Sequence, residues 1–217
     1  MSVQHPIRIM KALNVVTVLA ALSALACTDN TPRTAADSQA AHVAEVIAAG
    51  GKVDSILPMA EHLRRFREGM TAPDTLRSAA PTREALVSRW LTAVSASDTT
   101  TLTSLLLDRA EFAFLYFPSS PMAAPPYEAP PQLLWGQIMA SSNEGLPKVL
   151  NRYAGKSLSN PALACPDSAV VEGDNRTWTR CTLTFSVKGE ARASGQFFGT
   201  ILERGGRFKF VGYANRL

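Results

Sequence analysis

The chain has 217 residues, with 22 Lys+Arg against 18 Asp+Glu, which is long enough for one domain with a hydrophobic core plus a tether. Setting aside Arg8 and Lys11, which precede an uncharged run, leaves 20 basic against 18 acidic side chains, so the pI of 9.1 reflects a small excess rather than a basic face. The sequence holds no long Lys/Arg block of the kind that binds nucleic acid, and its densest basic cluster, Arg64, Arg65 and Arg67, is interleaved with Phe66 and reads as a solvated helix face.

Residues 13–26 form an apolar run without charge that ends in Ser23-Ala24-Leu25-Ala26-Cys27. A basic start, a short apolar run and small residues at its end are the order of a cleaved secretory signal peptide. A run of about 14 residues falls short of the roughly 20 that a membrane-spanning helix needs. The small residues closing on a cysteine resemble the lipobox of bacterial lipoproteins. That resemblance implies cleavage before Cys27 and lipidation of Cys27 by a diacylglyceryl thioether and an amide-linked acyl chain, several chains holding far more firmly than one. It also implies a lipid-anchored place in the bacterial cell envelope, with the periplasmic face of the outer membrane favoured because Thr28 rather than Asp follows. Ordinary cleavage that leaves Cys27 without lipid is the alternative. On this reading residues 1–26 are signal peptide, 27–52 tether, 53–80 a short helical segment and linker, and 81–217 the main domain.

Residues 28–38 hold Thr, Asp, Asn and Ala without a large apolar side chain and read as solvated tether. Short helices are expected over 40–49 and 54–69, separated by Gly50-Gly51; in the second, Ile56, Leu57, Met59, Ala60, Leu63 and Phe66 recur at spacings of three and four. Residues 71–81 read as a linker. Pro81-Thr82 starts a helix over 83–96, with Leu86, Trp90 and Val94 on one side, and Asp98 caps another over 99–107. The aromatic stretch 111–117 is expected to be a strand. Residues 118–131 contain six prolines and form a loop. A helical stretch over 132–153 is expected to break at Gly145 and Pro147.

The hydrophobic period then changes from 3.6 to 2, and strands are expected over 158–171, 177–188, 191–203 and 207–213. Glu172-Gly173-Asp174-Asn175 and Arg204-Gly205-Gly206 supply the residues that tight hairpins require. With Cys27 assigned to lipid, Cys165 and Cys181 remain, and residue 173 lies midway between them. A hairpin folding at Gly173 sets the two opposite one another as a cross-strand disulfide, the chemistry of an oxidising compartment. Neither cysteine has the Cys-x-x-Cys spacing of a redox site. The mature chain's histidines, His42 and His62, lie far upstream, so no structural zinc site is expected.

Two helices, a strand, an elaborated loop, further helix and then four meandering antiparallel strands give an α+β class, helices packed on one face of a curved sheet. That order over about 81–215 resembles the NTF2-like, SnoaL-like cone. Glu111-Phe112, Tyr116-Phe117-Pro118-Ser119-Ser120-Pro121, Cys165 with Trp178 and Cys181, Gly206-Arg207-Phe208-Lys209-Phe210 and Tyr213-Ala214-Asn215 together resemble uncharacterised bacterial lipoproteins. The resemblance implies a fold and no mechanism.

SnoaL-like enzymes use a His or Asp in the cone as acid or base, and residues 81–217 contain no histidine. Asp108, Glu111 and Glu128 are the carboxylates nearest the expected pocket mouth; their plainer readings are a helix-end residue, a solvated strand-edge charge and a loop residue. Tyr116, Tyr127, Trp135, Tyr153 and Trp178 are the candidate pocket lining, with core filling as the rival use of such rings. Asn175-Arg176-Thr177 matches a glycosylation sequon but reads as a turn. No catalytic residue, cofactor or metal site is assigned. The chain is expected to be a membrane-tethered, non-catalytic module that holds an envelope protein or a small apolar ligand; the alternative is an enzyme acting on a small apolar molecule in the cone. A closed pocket with a buried carboxylate favours the enzyme, and a filled cone with an exposed apolar patch favours the module.

Overall fold

The computed structural model describes residues 35–51 and 57–217. Cys27 and the 13–26 run lie outside the described residues. The chain divides into two compact units, one ending at Ser55 and one running from Ile56 to Leu217.

In the first unit, helix α1 (Ala35–Ala48) begins five residues earlier than residue 40, so the end of the expected tether is helical. Gly50, at φ +77°, follows its end.

The second unit opens with α2 (Met59–Phe66). Pro58 precedes it, and residue 54, where the helix was expected to begin, lies outside the described residues. Phe66 faces inward with Met59 and Leu63, while Glu61 takes Arg64 and Arg65 on the solvated side. The stretch 71–81 is built into this unit: Leu76, Ala79 and Ala80 are buried, and Ala80 exchanges both main-chain hydrogen bonds with Phe208.

Helix α3 (Arg83–Ala96) starts where the Thr82 hydroxyl accepts the Ala85 N–H at 3.0 Å, and it buries Leu86, Trp90 and Val94. Helix α4 (Thr99–Ser104) is capped by Asp98, whose carboxylate accepts the Thr101 N–H at 2.9 Å. It ends before residue 107 because Leu106 and Leu107 leave it to pair with Phe210.

The strand expected over 111–117 is helical instead. Asp108 and Glu111 form a reciprocal capping box that starts α5 (Arg109–Glu111), which continues as a π-helical turn (Phe112–Tyr116) and the 3-10 turns Phe117–Ser119 and Pro121–Ala123. Aromatic enrichment suits a buried helix as well as a strand, and the cap decides between them. The break expected at Gly145 and Pro147 is also absent: α6 (Pro131–Tyr153) is one helix. A Cβ on Gly145 would lie 1.9 Å from the Tyr213 carbonyl oxygen, so the glycine admits a crossing chain rather than ending the helix.

Four expected strands become seven in two sheets. β1 (Leu158–Ala164), β4 (Thr182–Val187) and β5 (Ala193–Gly195) form one sheet in the order β1-β4-β5. β2 (Val170–Glu172), β3 (Asn175–Trp178), β6 (Ile201–Arg204) and β7 (Arg207–Phe210) form the other in the order β2-β3-β6-β7. All of these strand pairs are antiparallel. The long arms break up because the hairpin expected at Gly173 passes from one sheet to the other. Beyond Ala164 opposite Thr182 the register brings Cys165 to Cys181, and their Cα atoms lie 4.2 Å apart in a disulfide. The staple therefore sits where the hairpin leaves β1 and β4 for β2 and β3.

The four-stranded sheet is covered on both faces. Leu202 packs with Leu76, Leu107 and Leu115 on one; Ile201 and Phe210, from the other, join α3 and the smaller sheet in the main core. The class is α+β, helices against antiparallel sheets.

Candidate functional site

The space between α3 and the two sheets, where a ligand-holding cone would be hollow, is occupied by side chains. Trp90 meets Phe197 and Phe198 with ring centroids 6.0 and 5.8 Å apart, Phe198 lies 4.4 Å from Phe210, and the Tyr213 hydroxyl donates to the Leu102 carbonyl at 2.7 Å. Tyr153 belongs to this packing, 5.2 Å from Phe185 and 5.7 Å from Phe197.

Of the other predicted pocket residues, Trp178 alone packs against it. Trp178 is at the core's rim, under the Arg83 guanidinium at 4.7 Å. Tyr116 and Trp135 are brought together against Phe112, at 6.0 and 5.1 Å, in a second cluster with Phe66 and Phe117. Tyr127 stands on the proline loop and is 63% exposed. The five aromatics thus line no common cavity, because most of them fill gaps between separate pairs of elements.

The carboxylates follow the same division. Asp108 is the cap of α5, as its helix-end reading requires, and pairs with Arg77 at 2.9 Å. Glu128 is an exposed loop residue at φ +39°. Glu111, read as a solvated edge charge, is instead 0% exposed and bound at 2.7 Å to Lys209, itself 3% exposed. Its two oxygens also accept the main-chain N–H groups of Arg77 and Asp108. Both carboxylate oxygens are engaged by the protein, which suits a structural anchor and not a proton shuttle. Lys209 was missed from the sequence; its signal is the alternation Arg207-Phe208-Lys209-Phe210, which places it on the face of the sheet that carries Leu202.

One corner of the domain is built differently. The fully buried Asn175 at the start of β3 donates from Nδ2 to the Leu115 carbonyl at 2.8 Å and to Ser119 Oγ at 3.2 Å, and its Oδ1 accepts from Arg204 at 3.2 Å. Arg204 also binds Asp174 at 2.9 Å. Gly173, at φ +61°, brings the β2–β3 turn so close to Ser119 that a Cβ there would lie 3.1 Å from that side chain. The sequon asparagine is thus an internal clamp that ties the base of the proline loop to the hairpin.

Beyond the clamp the loop closes on itself. Ala129 N–H donates to Met122 O at 2.8 Å, and Ala124 O accepts from both Tyr127 and Glu128 at 3.1 Å. Large apolar side chains remain in water on both partners of this corner: Tyr127 and Leu133 at and after the loop, and Val170 and Val171, 54% and 65% exposed, on β2. Tyr116, at the loop's base, has its phenol pushed up to about 12 by burial, with the Glu172 carboxylate adding to the effect. Burial also raises the Glu172 carboxyl. Neither side chain has an ion-pair or hydrogen-bond partner of its own among the described residues.

A 480 Å³ depression beside α2 is lined by Leu63, Arg64 and Arg67, among others. Its cations are already engaged, Arg64 by Glu61 and Arg67 by the Ala113 carbonyl at 2.9 Å. Among the described residues no three His, Cys, Asp or Glu side chains converge, and no helix is long and apolar enough to cross a membrane. Comparison with family models, curated proteins and solved structures finds no match to this chain.

Proposed function

We propose that the chain is a lipoprotein of the bacterial cell envelope, lipidated at Cys27, whose C-terminal domain is an NTF2-like cone adapted to holding a protein partner rather than to catalysis. The observation that carries this reading is the contrast between interior and corner. The interior is packed with the rings of Trp90, Phe185, Phe197, Phe198 and Phe210, and its second face encloses the neutralised Glu111–Lys209 pair. Tyr127 and Leu133, at and after the proline loop, and Val170 and Val171 on β2 are left in water, and Asn175 ties the base of that loop to the hairpin of β2 and β3. Apolar side chains on a rigid scaffold suit binding. Helices over two antiparallel sheets joined by one long hairpin support the cone; the signal order and the Ser23-Ala24-Leu25-Ala26-Cys27 segment support the lipid. The filled interior and the engaged Glu111 count against the enzyme.

Two measurements test the reading. Growth of the native host with labelled palmitate is expected to label the chain, and Cys27→Ser to abolish the label; label retained by that variant overturns the lipidation. A photo-crosslinking residue at Tyr127 is expected to trap a discrete envelope protein in living cells, and one at the solvated Arg64 to trap none. Equal trapping at both positions overturns the assignment of the corner.

A further inference from the structure

The edges of the two sheets are not alike. β1 carries Pro161 and a left-handed Asn160 (φ +51°), with a register shift between Ser159 and Ala162, devices that blunt an edge. The outer side of β7 is covered where Phe208 pairs with Ala80 and Phe210 with Leu106. β5 is followed by Gln196, which pairs with Arg216. β2, terminal in its sheet, has no such cover among the described residues.

Its main chain points outward at a defined place. The two-residue turn Gly173-Asp174 makes Glu172 and Asn175 a hydrogen-bonded pair, so Val171 and Arg176 form the next, non-hydrogen-bonded pair. The N–H and C=O of Val171 therefore face away from β3, toward the open side. Side chains alternate about this point. Val171 lies on the face of Arg176; Val170 and Glu172 lie on the other, two residues apart. The face with Glu172 is also the one against which the base of the proline loop packs, through Asn175 and Ser119. Glu172 is half-buried and close enough to Tyr116 to act on its phenol, and its carboxylate has no cation to balance it among the described residues.

We infer that β2 is a docking edge for an extended segment of a partner protein, which adds a strand at Val171 and sets a basic side chain against Glu172 and Tyr116 and an apolar side chain, two residues away, against Val170. Main-chain hydrogen bonds supply the attachment, and the alternate side chains supply the choice of sequence. The uncompensated carboxylate selects the cation: a Lys or Arg brought there gains an ion pair with Glu172 and stands beside the Tyr116 ring. An acidic residue at the same place meets repulsion. A second copy of β2 is disfavoured, since its own Glu172 would be brought to an edge that already carries one.

This inference rests on reading the domain as a binding module, and its test separates the two. The full-length chain is titrated calorimetrically with the end-capped peptide Thr-Val-Thr-Lys-Thr-Val-Thr and with the same peptide N-methylated at alternate residues. The first is expected to bind, and the second, unable to complete the ladder, to show no binding. Glu172→Lys is expected to weaken the first peptide about five-fold. Val171→Pro, which removes only an outward N–H, is expected to abolish binding while leaving the melting temperature unchanged. Equal binding of the two peptides, an unaltered affinity in Glu172→Lys, or no binding of either peptide overturns the docking edge. If the edge fails but the photo-crosslinker at Tyr127 still traps its partner, the binding-module reading stands; if both fail, both readings fall.

Discussion

The Lys209 ammonium donates to the Glu111 carboxylate and to no other group among the described residues, and both side chains are closed off from water. Truncating the cation strands a buried negative charge, so Lys209→Met is expected to lower stability by about 3 kcal/mol or more, as removal of one partner of a buried pair does. Adding Glu111→Gln removes the stranded charge while Gln still accepts a main-chain N–H, and the double variant is expected to recover part of the loss; urea unfolding of the three proteins decides. Tyr116 gives a pH-dependent counterpart. Its phenol is held protonated to about 12 in the folded chain, whereas an unfolded phenol ionises near 10. The raised value means that its contribution is complete below about pH 10 and is lost as pH climbs from about 10 to about 12. Tyrosinate absorbance is expected to show a late step that Tyr116→Phe removes, and a step unaltered in that variant refutes the assignment.

At the level of elements, Gly145 and Pro147 show how a local rule yields to packing. Both disfavour a helix interior, yet α6 runs unbroken through them. The C-terminal chain crosses at Gly145, where Asn215 Nδ2 donates to the Gly145 carbonyl at 2.7 Å, and one turn earlier Ser142 Oγ accepts the Tyr213 N–H at 2.9 Å. Gly145→Ala is therefore expected to destabilise the domain by at least about 2 kcal/mol, although alanine is the better helix former, because its methyl group collides with backbone. A gain in denaturation midpoint would refute that account of the crossing. The segment 111–117 carries the same lesson. Its aromatic residues suit a strand or a buried helix, and the Asp108–Glu111 capping box, present in the sequence as Asp-x-x-Glu, is the local signal that settles it. Ring density alone does not distinguish the two, since the same side chains fill a sheet face or a helix face.

Across the molecule, the disulfide joins the two arms of one hairpin at the point where they leave the three-stranded sheet for the four-stranded one. It closes a loop of about 17 residues, so replacing both Cys165 and Cys181 with Ser is expected to cost about 3 kcal/mol; thermal unfolding of the oxidised and double-serine forms measures it, and a loss under about 1 kcal/mol would show that packing alone holds the hairpin. What the sequence by itself determined was whatever depends on near neighbours along the chain. The caps of α3 and α4, the turns at Gly173 and Gly205-Gly206, the pairing of Cys165 with Cys181 and the α+β class all follow from spacing and turn chemistry. The tertiary structure alone decided that Glu111 lies buried against Lys209, 98 residues away, that Tyr116 and Trp135 both pack on Phe112 while Tyr153 and Trp178 do not join them, and that β2 is left at an edge. Those outcomes turn on which surfaces distant elements present to one another, and periodicity records only that a side chain is apolar or charged, not what will stand opposite it.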